Sequence, residues 1–371
     1  MKPKILFILH LPPPIHGAAM MGKYIQESEL INSSFDCFCI NLATAGSLSD
    51  IGHISLKKLL KYFFLLKHIS NVVREIRPEL VYITPNAGRK AFFKDFIVVQ
   101  MLKSMGCKVI AHYHNKGVSV YQSKWVYNFF YKRFFSNLKV ILLAENLYKD
   151  MAKYVKREDV YICPNGIPSS CKEEMEARRN NVIPHLLFLS NLLISKGVIV
   201  LLDALRILKE KGYLFNCQYV GGETAEINAM QFVVEVERRK LNDRVAYAGR
   251  KVGEEKNTFF QQADIFILPT MNECFPLVIL EAMEYKLPVI STNEGGIPDI
   301  VKDGENGLIC EKQNPYSLAD CIAKLLDDEE LRVKMGNAGY EKFCREFTLQ
   351  RFENRMLGIL SQNLPQKEKE N

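Results

Sequence analysis

The sequence predicts an α/β protein with two domains, each built around a parallel sheet. Short apolar runs of strand length alternate with longer amphipathic or polar segments, a pattern typical of βαβ units. The 371 residues exceed what one hydrophobic core usually holds and suit two domains. A hydrophobic fraction of 48% and a charged fraction of 25% are ordinary for globular proteins and argue against extensive disorder.

Six strands are predicted in each half of the chain. Those of the first half are Ile5–Leu9, Cys37–Asn41, Leu80–Thr84, Lys108–His112, Val140–Ala144 and Val160–Cys163. Those of the second half are Leu186–Ser190, Asn216–Val220, Val245–Ala248, Ile265–Leu268, Val289–Ser291 and Gly307–Ile309. A loop with glycine, proline, asparagine or a charged residue follows each run, and α/β folds bind ligands at such loops.

The boundary between the halves is predicted at Pro164-Asn165-Gly166-Ile167-Pro168, where two prolines and a glycine interrupt regular structure. We expect an N-terminal Rossmann-like domain over 1–165, a linker over 166–183 and a C-terminal Rossmann-like domain over 184–345. Residues 346–371 are expected to form a helix, which either caps the second domain or crosses back to the first, and a polar tail.

The net charge of +7 is distributed unevenly along the chain. Residues 1–165 hold 23 Lys and Arg against 11 Asp and Glu, a net charge of +12, whereas the remainder holds 26 against 31. A basic half suits phosphates, an anionic membrane surface or nucleic acid. Because no aromatic RNA-binding signature or zinc-finger spacing accompanies the charge, nucleic acid is not an expected partner.

Cysteine usage and the apolar runs predict a cytoplasmic protein. The ten cysteines include no CxxC pair, which indicates reduced and mostly buried thiols. The apolar run after Met1 is too short for a signal peptide and is interpreted as a first buried strand. No apolar stretch reaches the length needed to span a bilayer.

The segment from Pro269 to Met283 is the most informative part of the sequence. An apolar strand ends at Pro269, and a loop containing Glu273 follows. Pro276 stands where a helix could begin at its first position, which would place Glu281 more than one turn into that helix. The two glutamates would then lie on either side of a helix start.

Such a helix start predicts an anion site. The amides of Phe275, Leu277 and Val278 would bind phosphate, while Glu273 accepts sugar hydroxyls and Glu281 accepts ribose hydroxyls. This arrangement fits a nucleotide sugar. The alternative is ordinary capping, with Glu273 near the positive helix end and Glu281 as a solvent-facing acid.

Four ordered elements of the second half resemble the retaining glycosyltransferase family 4 of the GT-B fold, in its bacterial surface-polysaccharide type. They are Leu189–Gly197, Glu273 to Glu281 with the following Ala282-Met283, Gly295–Asp299 and Asp303–Ile309. The resemblance implies two Rossmann-like domains facing each other across a cleft. It also implies transfer of a sugar, with retention, from a nucleotide diphosphate sugar to a glycan or a polyprenyl-diphosphate-linked acceptor. A UDP-sugar is the expected donor, with a GDP-sugar as the alternative.

By this resemblance, Lys196 contacts the donor diphosphate, which suits a point charge. The family usually has an arginine at the position of Asn191, so one phosphate contact is either missing or supplied by Arg250 or Lys251. The donor is further expected to contact the loop and helix start formed by Cys274, Phe275, Pro276 and Leu277.

Glu273 and Glu281 also receive roles from the resemblance. Glu281 is similar to the ribose-binding carboxylate, and Glu273 to the catalytic one near the donor sugar and its departing phosphate. The reaction proceeds either by double displacement through Glu273 or by same-face attack, in which the leaving phosphate accepts the acceptor's proton. Without an Asp-x-Asp signature in the right context, no metal or other cofactor is expected.

The resemblance is looser in the first half. Gly17 is similar to the glycine that lets the backbone approach the phosphate, and Ala18 replaces the family's second glycine. His114 is similar to the donor-sugar histidine and is expected to act in catalysis, whereas His112 is expected to pack in the core. His16 is a further candidate for substrate binding. A turn before a helix is the alternative for Gly17, and a turn or capping role for His114.

The segment Lys124–Phe135 predicts an amphipathic helix. Its apolar arc contains five aromatic side chains, while Trp125, Phe129, Lys132 and Arg133 project elsewhere. Aromatic residues flanked by cations suit a membrane interface, and packing on the first sheet is the alternative. The segment Ser55–Ile69 is similar but has no clean face. We expect peripheral contact with anionic membrane on the inner face of the plasma membrane.

Three other functions compete with a glycosyltransferase. A nucleotide-sugar epimerase of GT-B-like fold would not predict the ordered elements around Lys196 and Glu273. A catalytically silent nucleotide-sugar-binding protein would be marked by loss of His114, Lys196 or Glu273, and all three are present. A nucleic-acid binder rests on the basic half alone.

Overall fold

The computed structural model describes residues 2–13, 16–42, 56–169 and 182–365, with side chains from residue 60 onward in the third range. Most of the predicted linker and the polar tail lie outside these ranges. The chain divides into two compact units, Met1–Gly166 with Leu349–Asn371, and Ile167–Thr348. The final helix thus belongs to the first unit.

The first unit is built on a parallel sheet in the order β2-β1-β3-β4-β5-β6. Its strands are β1 (Lys4–Leu9), β2 (Asp36–Asn41), β3 (Leu80–Ile83), β4 (Val109–Tyr113), β5 (Lys139–Leu142) and β6 (Val160–Ile162). Strands of this sheet carry apolar side chains on both faces. In β3, for example, every residue is buried. Such continuous apolar strands are typical of parallel sheets covered on both sides by helices.

The helices of the first unit are α1 (Gly17–Glu27), α2 (Glu29–Ser34), α3 (Leu56–Ile76), α4 (Arg89–Ser104), α5 (Val118–Tyr121), α6 (Trp125–Phe135) and, after the second unit, α14 (Leu349–Gln362). Helix α14 packs against α2, while α3 contacts α4 and α4 contacts α6. Right-handed crossovers place α3, α4 and α6 together on one face of the sheet, opposite α1 and α2.

Aromatic packing joins α4 to α6. The ring of Phe92 lies 4.6 Å from that of Tyr131 and 5.5 Å from that of Phe134. All three are fully buried, and the Tyr131 hydroxyl donates a 2.5 Å hydrogen bond to the Ala87 carbonyl. The apolar arc predicted for Lys124–Phe135 is therefore core packing.

The second unit repeats the architecture, in the order β12-β11-β10-β7-β8-β9. Its strands are β7 (His185–Leu189), β8 (Asn216–Val220), β9 (Val245–Tyr247), β10 (Ile265–Leu268), β11 (Val289–Thr292) and β12 (Gly307–Cys310). Its helices are α7 (Val198–Glu210), α8 (Ala229–Arg238), α9 (Gly253–Gln262), α10 (Leu277–Glu284), α11 (Ile297–Ile300), α12 (Pro315–Asp327) and α13 (Glu329–Glu346). The Ile167 amide donates to the Phe347 carbonyl at 3.0 Å, so the chain enters and leaves this unit side by side.

Each sheet has one point at which the chain reverses its direction of travel. In the first unit β1 leads outward to β2, and the chain returns to β3 on the other side of β1. In the second unit the same reversal separates β7 from β10. Loops on either side of such a reversal diverge and leave a crevice at the carboxyl ends of the strands, which is where α/β sheets bind ligands.

All twelve predicted strands are present, and their ends agree with the prediction to within about two residues. The expectation of mostly buried thiols is wrong for the nine described cysteines, of which only Cys163, Cys217 and Cys310 are buried and Cys39 is exposed. Among the described residues, no helix combines the length and apolarity needed to cross a membrane.

Helix α14 should contribute strongly to the stability of the first unit, because Phe352, Met356 and Leu360 on its inner face are fully buried. Replacing Phe352 by Ala should lower the free energy of unfolding by about 3–5 kcal/mol. The exposed Asn354 bonds only within its own helix, so Asn354→Ala should change it by less than about 0.5 kcal/mol. Urea denaturation measures both variants, and equal effects would contradict the docking of α14.

Candidate functional site

The reversal point of the second sheet brings together the two residues that the sequence singled out. Lys196 follows β7 and Glu273 follows β10, 77 residues later. The Lys196 ammonium forms an ion pair with the Glu273 carboxylate, and each side chain is 19% exposed. The same ammonium donates to the Asn272 carbonyl at 3.4 Å. A cation and a carboxylate thus meet, partly shielded from water, in the crevice between β7 and β10.

Close backbone packing positions this pair. The Met271 amide and the Thr270 hydroxyl both donate to the Ser195 carbonyl, at 2.8 and 3.1 Å, and tie the two loops together. Gly197 has a φ of +84°, and a Cβ there would lie 2.2 Å from the Pro269 carbonyl oxygen. Only glycine combines this left-handed backbone with such a close approach.

A third loop supports Glu273 from the side of β11. Gly295 has a φ of +55°, and a Cβ there would lie 2.3 Å from the Glu273 carbonyl oxygen. Glu294, only 4% exposed, accepts a hydrogen bond from the Glu273 amide at 3.4 Å and pairs with Lys312. Sequence reasoning missed Glu294 and Lys312, although the acid directly precedes the glycine loop.

Helix α10 begins one residue later than the sequence suggests. Leu277 is its first residue, and Pro276 is the cap residue, with φ −74° and ψ 115°, so the prediction of Pro276 as the first helical residue is wrong. No side-chain oxygen caps this helix start, and Cys274 and Phe275 lead into it. Uncapped amides at a helix start attract anions.

Glu281 lies in the second turn of α10, as predicted, but it already has a partner. Its Oε1 accepts a 2.8 Å hydrogen bond from the Lys256 ammonium, and the two side chains are 25% and 24% exposed. Lys256 lies on α9, and sequence reasoning missed it. A ribose hydroxyl that donates to Glu281 would share this carboxylate with Lys256 or displace Lys256 from it.

The loops after β7 and β9 hold the remaining candidates of the second unit. The Asn191 side-chain oxygen accepts a 3.1 Å hydrogen bond from the Gly222 amide. A Cβ at Gly222 would lie 4.0 Å from Cδ of the exposed Arg250, so Arg250 lies beside Asn191. Lys251 instead pairs with Glu255 at 3.2 Å. Of the two cations proposed to compensate for Asn191, the structure brings only Arg250 next to it.

In the first unit, the predicted residues lie at the start of α1, beside the reversal between β1 and β3. Gly17 and Ala18 are the first two residues of α1, and His16 caps it by accepting the Ala19 amide on Nδ1 at 3.3 Å. Burial lowers the pKa of His16. His16 therefore has a structural role in addition to its predicted role in binding.

His112 and His114 stand at the end of β4. His112 is fully buried and its Nδ1 lies 2.5 Å from the Tyr82 hydroxyl, which confirms the prediction of a packed core histidine. His114 follows the strand, and both of its ring nitrogens are buried without a hydrogen-bond partner in the part of the chain that the structure describes. Burial, with smaller effects of His10 and His16, lowers the pKa of His114 to about 3.

The second-unit crevice combines a lysine, an uncapped helix start and two carboxylates. The cation and the amides suit a diphosphate, and the carboxylates suit hydroxyl groups. Within the described ranges, no three His, Cys, Asp or Glu side chains are grouped so that they could hold a metal ion. This combination of groups can bind a ligand that carries both phosphate and hydroxyl groups.

Two units, each with a six-stranded parallel sheet, define the fold class as GT-B. HepE from Anabaena, solved in complex with UDP, matches with a TM-score of 0.72 at 17% sequence identity, over 98% of this chain and 100% of that one. This likeness confirms the predicted fold class.

Residues 172–342 match the family of glycosyl transferases group 1. A glycosyltransferase of Methanocaldococcus jannaschii is 33% identical over 173 residues, 47% of this chain and 46% of that protein. The capsular polysaccharide biosynthesis glycosyltransferase CapM of Staphylococcus aureus is 30% identical over 155 residues, 42% of this chain and 40% of that protein. The matched part thus spans about half or less of these curated relatives.

The close approach at Gly197 can be tested against a matched glycine. Gly212 has nearly the same φ, +86°, but nothing lies within 4 Å of a Cβ built there. Gly212→Ala should therefore cost only about 1–2 kcal/mol of stability for the left-handed backbone. Gly197→Ala should cost about 1–3 kcal/mol more, because the methyl group meets Pro269. Chemical denaturation compares the two variants, and equal losses would show that the loops are not in contact.

The buried His114 should make stability depend on pH. Its folded pKa of about 3 lies below the unfolded value of about 6.5. The unfolded state therefore binds an extra proton between these values, and stability falls as the pH falls through this window. His114→Gln should reduce the slope of unfolding free energy against pH by about 1.4 kcal/mol per pH unit between about pH 6 and pH 4. The control is His68→Gln, at an exposed position on α3, which should leave the slope unchanged. An unchanged slope in both variants would contradict the burial of neutral His114.

Proposed function

We propose that this chain is a retaining glycosyltransferase of family 4 that transfers a sugar from a nucleotide diphosphate sugar to a glycan or lipid-linked acceptor. The observation that carries the proposal is the meeting of Lys196 and Glu273 in the crevice between β7 and β10, next to the uncapped start of α10. A diphosphate needs both features, since its charge must be stabilised as the bond to the sugar breaks.

A UDP-sugar is the proposed donor. The diphosphate would lie against Lys196 and the amides of the loop Cys274–Leu277, and the ribose would hydrogen-bond to Glu281. Arg250, next to Asn191, supplies the second cation. In support, HepE, which has this fold, was solved with UDP.

Retention of configuration is proposed to follow from same-face attack, with the leaving phosphate accepting the acceptor's proton. In this mechanism Lys196 shifts from Glu273 toward the diphosphate as negative charge develops there. Glu273 is then free to accept hydrogen bonds from hydroxyls of the donor sugar. In the alternative mechanism, a double displacement, Glu273 acts as the nucleophile. No metal or other cofactor is needed, because the ammonium and the helix start supply the positive charge.

The first unit is proposed to contribute the remaining substrate contacts. Gly17 and Ala18 offer amides at the start of α1, and His114 offers an imidazole that burial keeps neutral and able to both donate and accept. The acceptor is proposed to be carried on a polyprenyl diphosphate, in cell-surface polysaccharide synthesis on the cytoplasmic side of the membrane. Sequence similarity to CapM, a capsular polysaccharide glycosyltransferase, supports this role.

A ligand panel separates the proposed roles of Lys196 and Glu281. For the parent protein, UDP at 100 times its dissociation constant should stabilise the fold by about 2.7 kcal/mol in a thermal-shift assay. Lys196→Ala should reduce the shift with UDP to about the weaker shift with uridine, and should leave the uridine shift unchanged, because only UDP carries phosphate. Glu281→Gln should weaken the binding of UDP and of uridine equally, by about 1–3 kcal/mol, because both ligands carry the ribose.

Lys211 provides the control for the lysine variant. It also pairs with a carboxylate, Asp320 at 3.4 Å, but lies away from the crevice. Lys211→Ala should respond to UDP as the parent does. If Lys196→Ala keeps the full UDP response, the assignment of Lys196 to the diphosphate is wrong. If UDP binds but radiolabelled sugar is never transferred to any lipid or glycan acceptor, the chain is a silent nucleotide-sugar-binding protein.

A further inference from the structure

The described residues of α3 to α6 expose large apolar side chains, four of which are aromatic. We call this set the aromatic face; it comprises Leu60, Phe63, Phe64, Ile97, Val120, Trp125 and Phe129. Trp125 is 81% exposed, and Phe63 and Phe64 are 62% and 63% exposed. Helix α4 contacts both α3 and α6, so these exposed side chains lie on neighbouring helices. Exposed apolar side chains that are grouped in this way indicate an interaction surface more than single scattered ones do.

The aromatic face is separate from the core of the first unit. The neighbouring Phe130 packs inward, with its ring 5.4 Å from Phe93 and 4.8 Å from Phe96. Phe92, Tyr131 and Phe134 are fully buried and pack between α4 and α6. Since these residues already complete the core, packing within the unit does not explain the exposure of Trp125 and Phe129.

The aromatic face lies toward one edge of the sheet. In a parallel βαβ sheet each helix runs antiparallel to the strands, so helix starts lie at the carboxyl edge of the strands. Leu60 to Phe64 are in the first half of α3, and Trp125 and Phe129 are in the first half of α6. The same edge carries His16 and His114, the candidate substrate residues of this unit.

The charge along the segment that carries the aromatic face is almost entirely positive, although Asp150, from outside this segment, accepts hydrogen bonds from the first residues of α5. Residues 56–138 contain 15 Lys and Arg but only three acids, Glu75, Glu79 and Asp95. Asp95 is fully buried, and the other two lie at or beyond the last turn of α3, far along the chain from its exposed aromatics. The exposed cations of α3 to α6 include Lys61, Lys67, Lys90, Lys124, Lys132 and Arg133.

We propose that the aromatic face binds the surface of an anionic lipid bilayer. Tryptophan and phenylalanine side chains insert at the boundary between headgroups and acyl chains, and lysine and arginine side chains reach the headgroup phosphates. A second copy of the chain fits less well, because a symmetric dimer would bring two such cationic surfaces together. The inference rests on the proposed function only in that a lipid-linked acceptor would be presented at the same edge as His114.

Trp125 is the only tryptophan in the chain, so its fluorescence reports on this face alone. Phosphatidylcholine vesicles containing phosphatidylglycerol should shift the emission of the full-length protein to the blue, and brominated acyl chains should quench it. Vesicles of phosphatidylcholine alone should have little effect. Added salt should reverse the shift, because screening weakens the attraction to anionic headgroups.

Variants on the face should separate the apolar and the charged contributions. Lys132→Gln with Arg133→Gln should weaken partitioning about thirty-fold, since each cation near an anionic surface contributes about five-fold. Phe63→Ser with Phe64→Ser should weaken it roughly ten-fold or more. The matched controls lie on the second unit: Lys324→Gln with Lys334→Gln, and Met230→Ser with Val234→Ser, all at exposed positions. Both controls should partition like the parent.

Three outcomes would overturn the proposal. The first is an unchanged Trp125 emission together with no flotation on anionic vesicles. The second is a blue shift that depends on protein concentration without lipid, which would make this face a contact between copies. The third is a shift produced by RNA but not by vesicles. The UDP thermal shift, measured on the same preparations, is independent of lipid, so failure of the membrane surface and failure of the proposed donor site are told apart.

Discussion

The candidate site of the second unit depends on the ion pair between Lys196 and Glu273. Both side chains are largely shielded from water, and loss of one partner would leave the other charge poorly solvated. The surrounding backbone holds the pair in place: Gly197 presses against Pro269, and Gly295 presses against Glu273. These glycines bring three loops close enough for residues 77 positions apart in the sequence to meet.

The pair is one of three in which a lysine neutralises a carboxylate around the crevice. Lys256 pairs with Glu281, and Lys312 pairs with the nearly buried Glu294. Each acid is therefore compensated, so the site carries little net charge from these groups. Under the proposed function, a diphosphate would add negative charge, which the start of α10 and Lys196 would share only if Glu273 found other partners among sugar hydroxyls.

The sequence was sufficient for the strands and for singling out Lys196 and Glu273, because these follow from local apolar runs and from motif spacing. It did not predict the order of the strands in either sheet. It was not sufficient to predict which groups the charged side chains pair with. The contacts of Lys256 with Glu281 and of Glu294 with Glu273 depend on how separate loops pack, and no local pattern encodes that packing. Pro276 was misplaced by one residue because its fixed φ fits a cap residue as well as the first helical residue.

The charged groups are arranged differently in the two units, and this difference relates to the basic character of the first half of the chain. In the second unit the charged groups of the crevice are paired with one another. In the first unit the candidate residues at the sheet edge are histidines, and burial keeps His114 uncharged. The basic excess of residues 56–138 is carried largely by lysines and arginines at exposed positions, among them Lys61, Lys132 and Arg133. Such dispersed charge suits the proposed contact with a large anionic surface better than it suits a single bound phosphate.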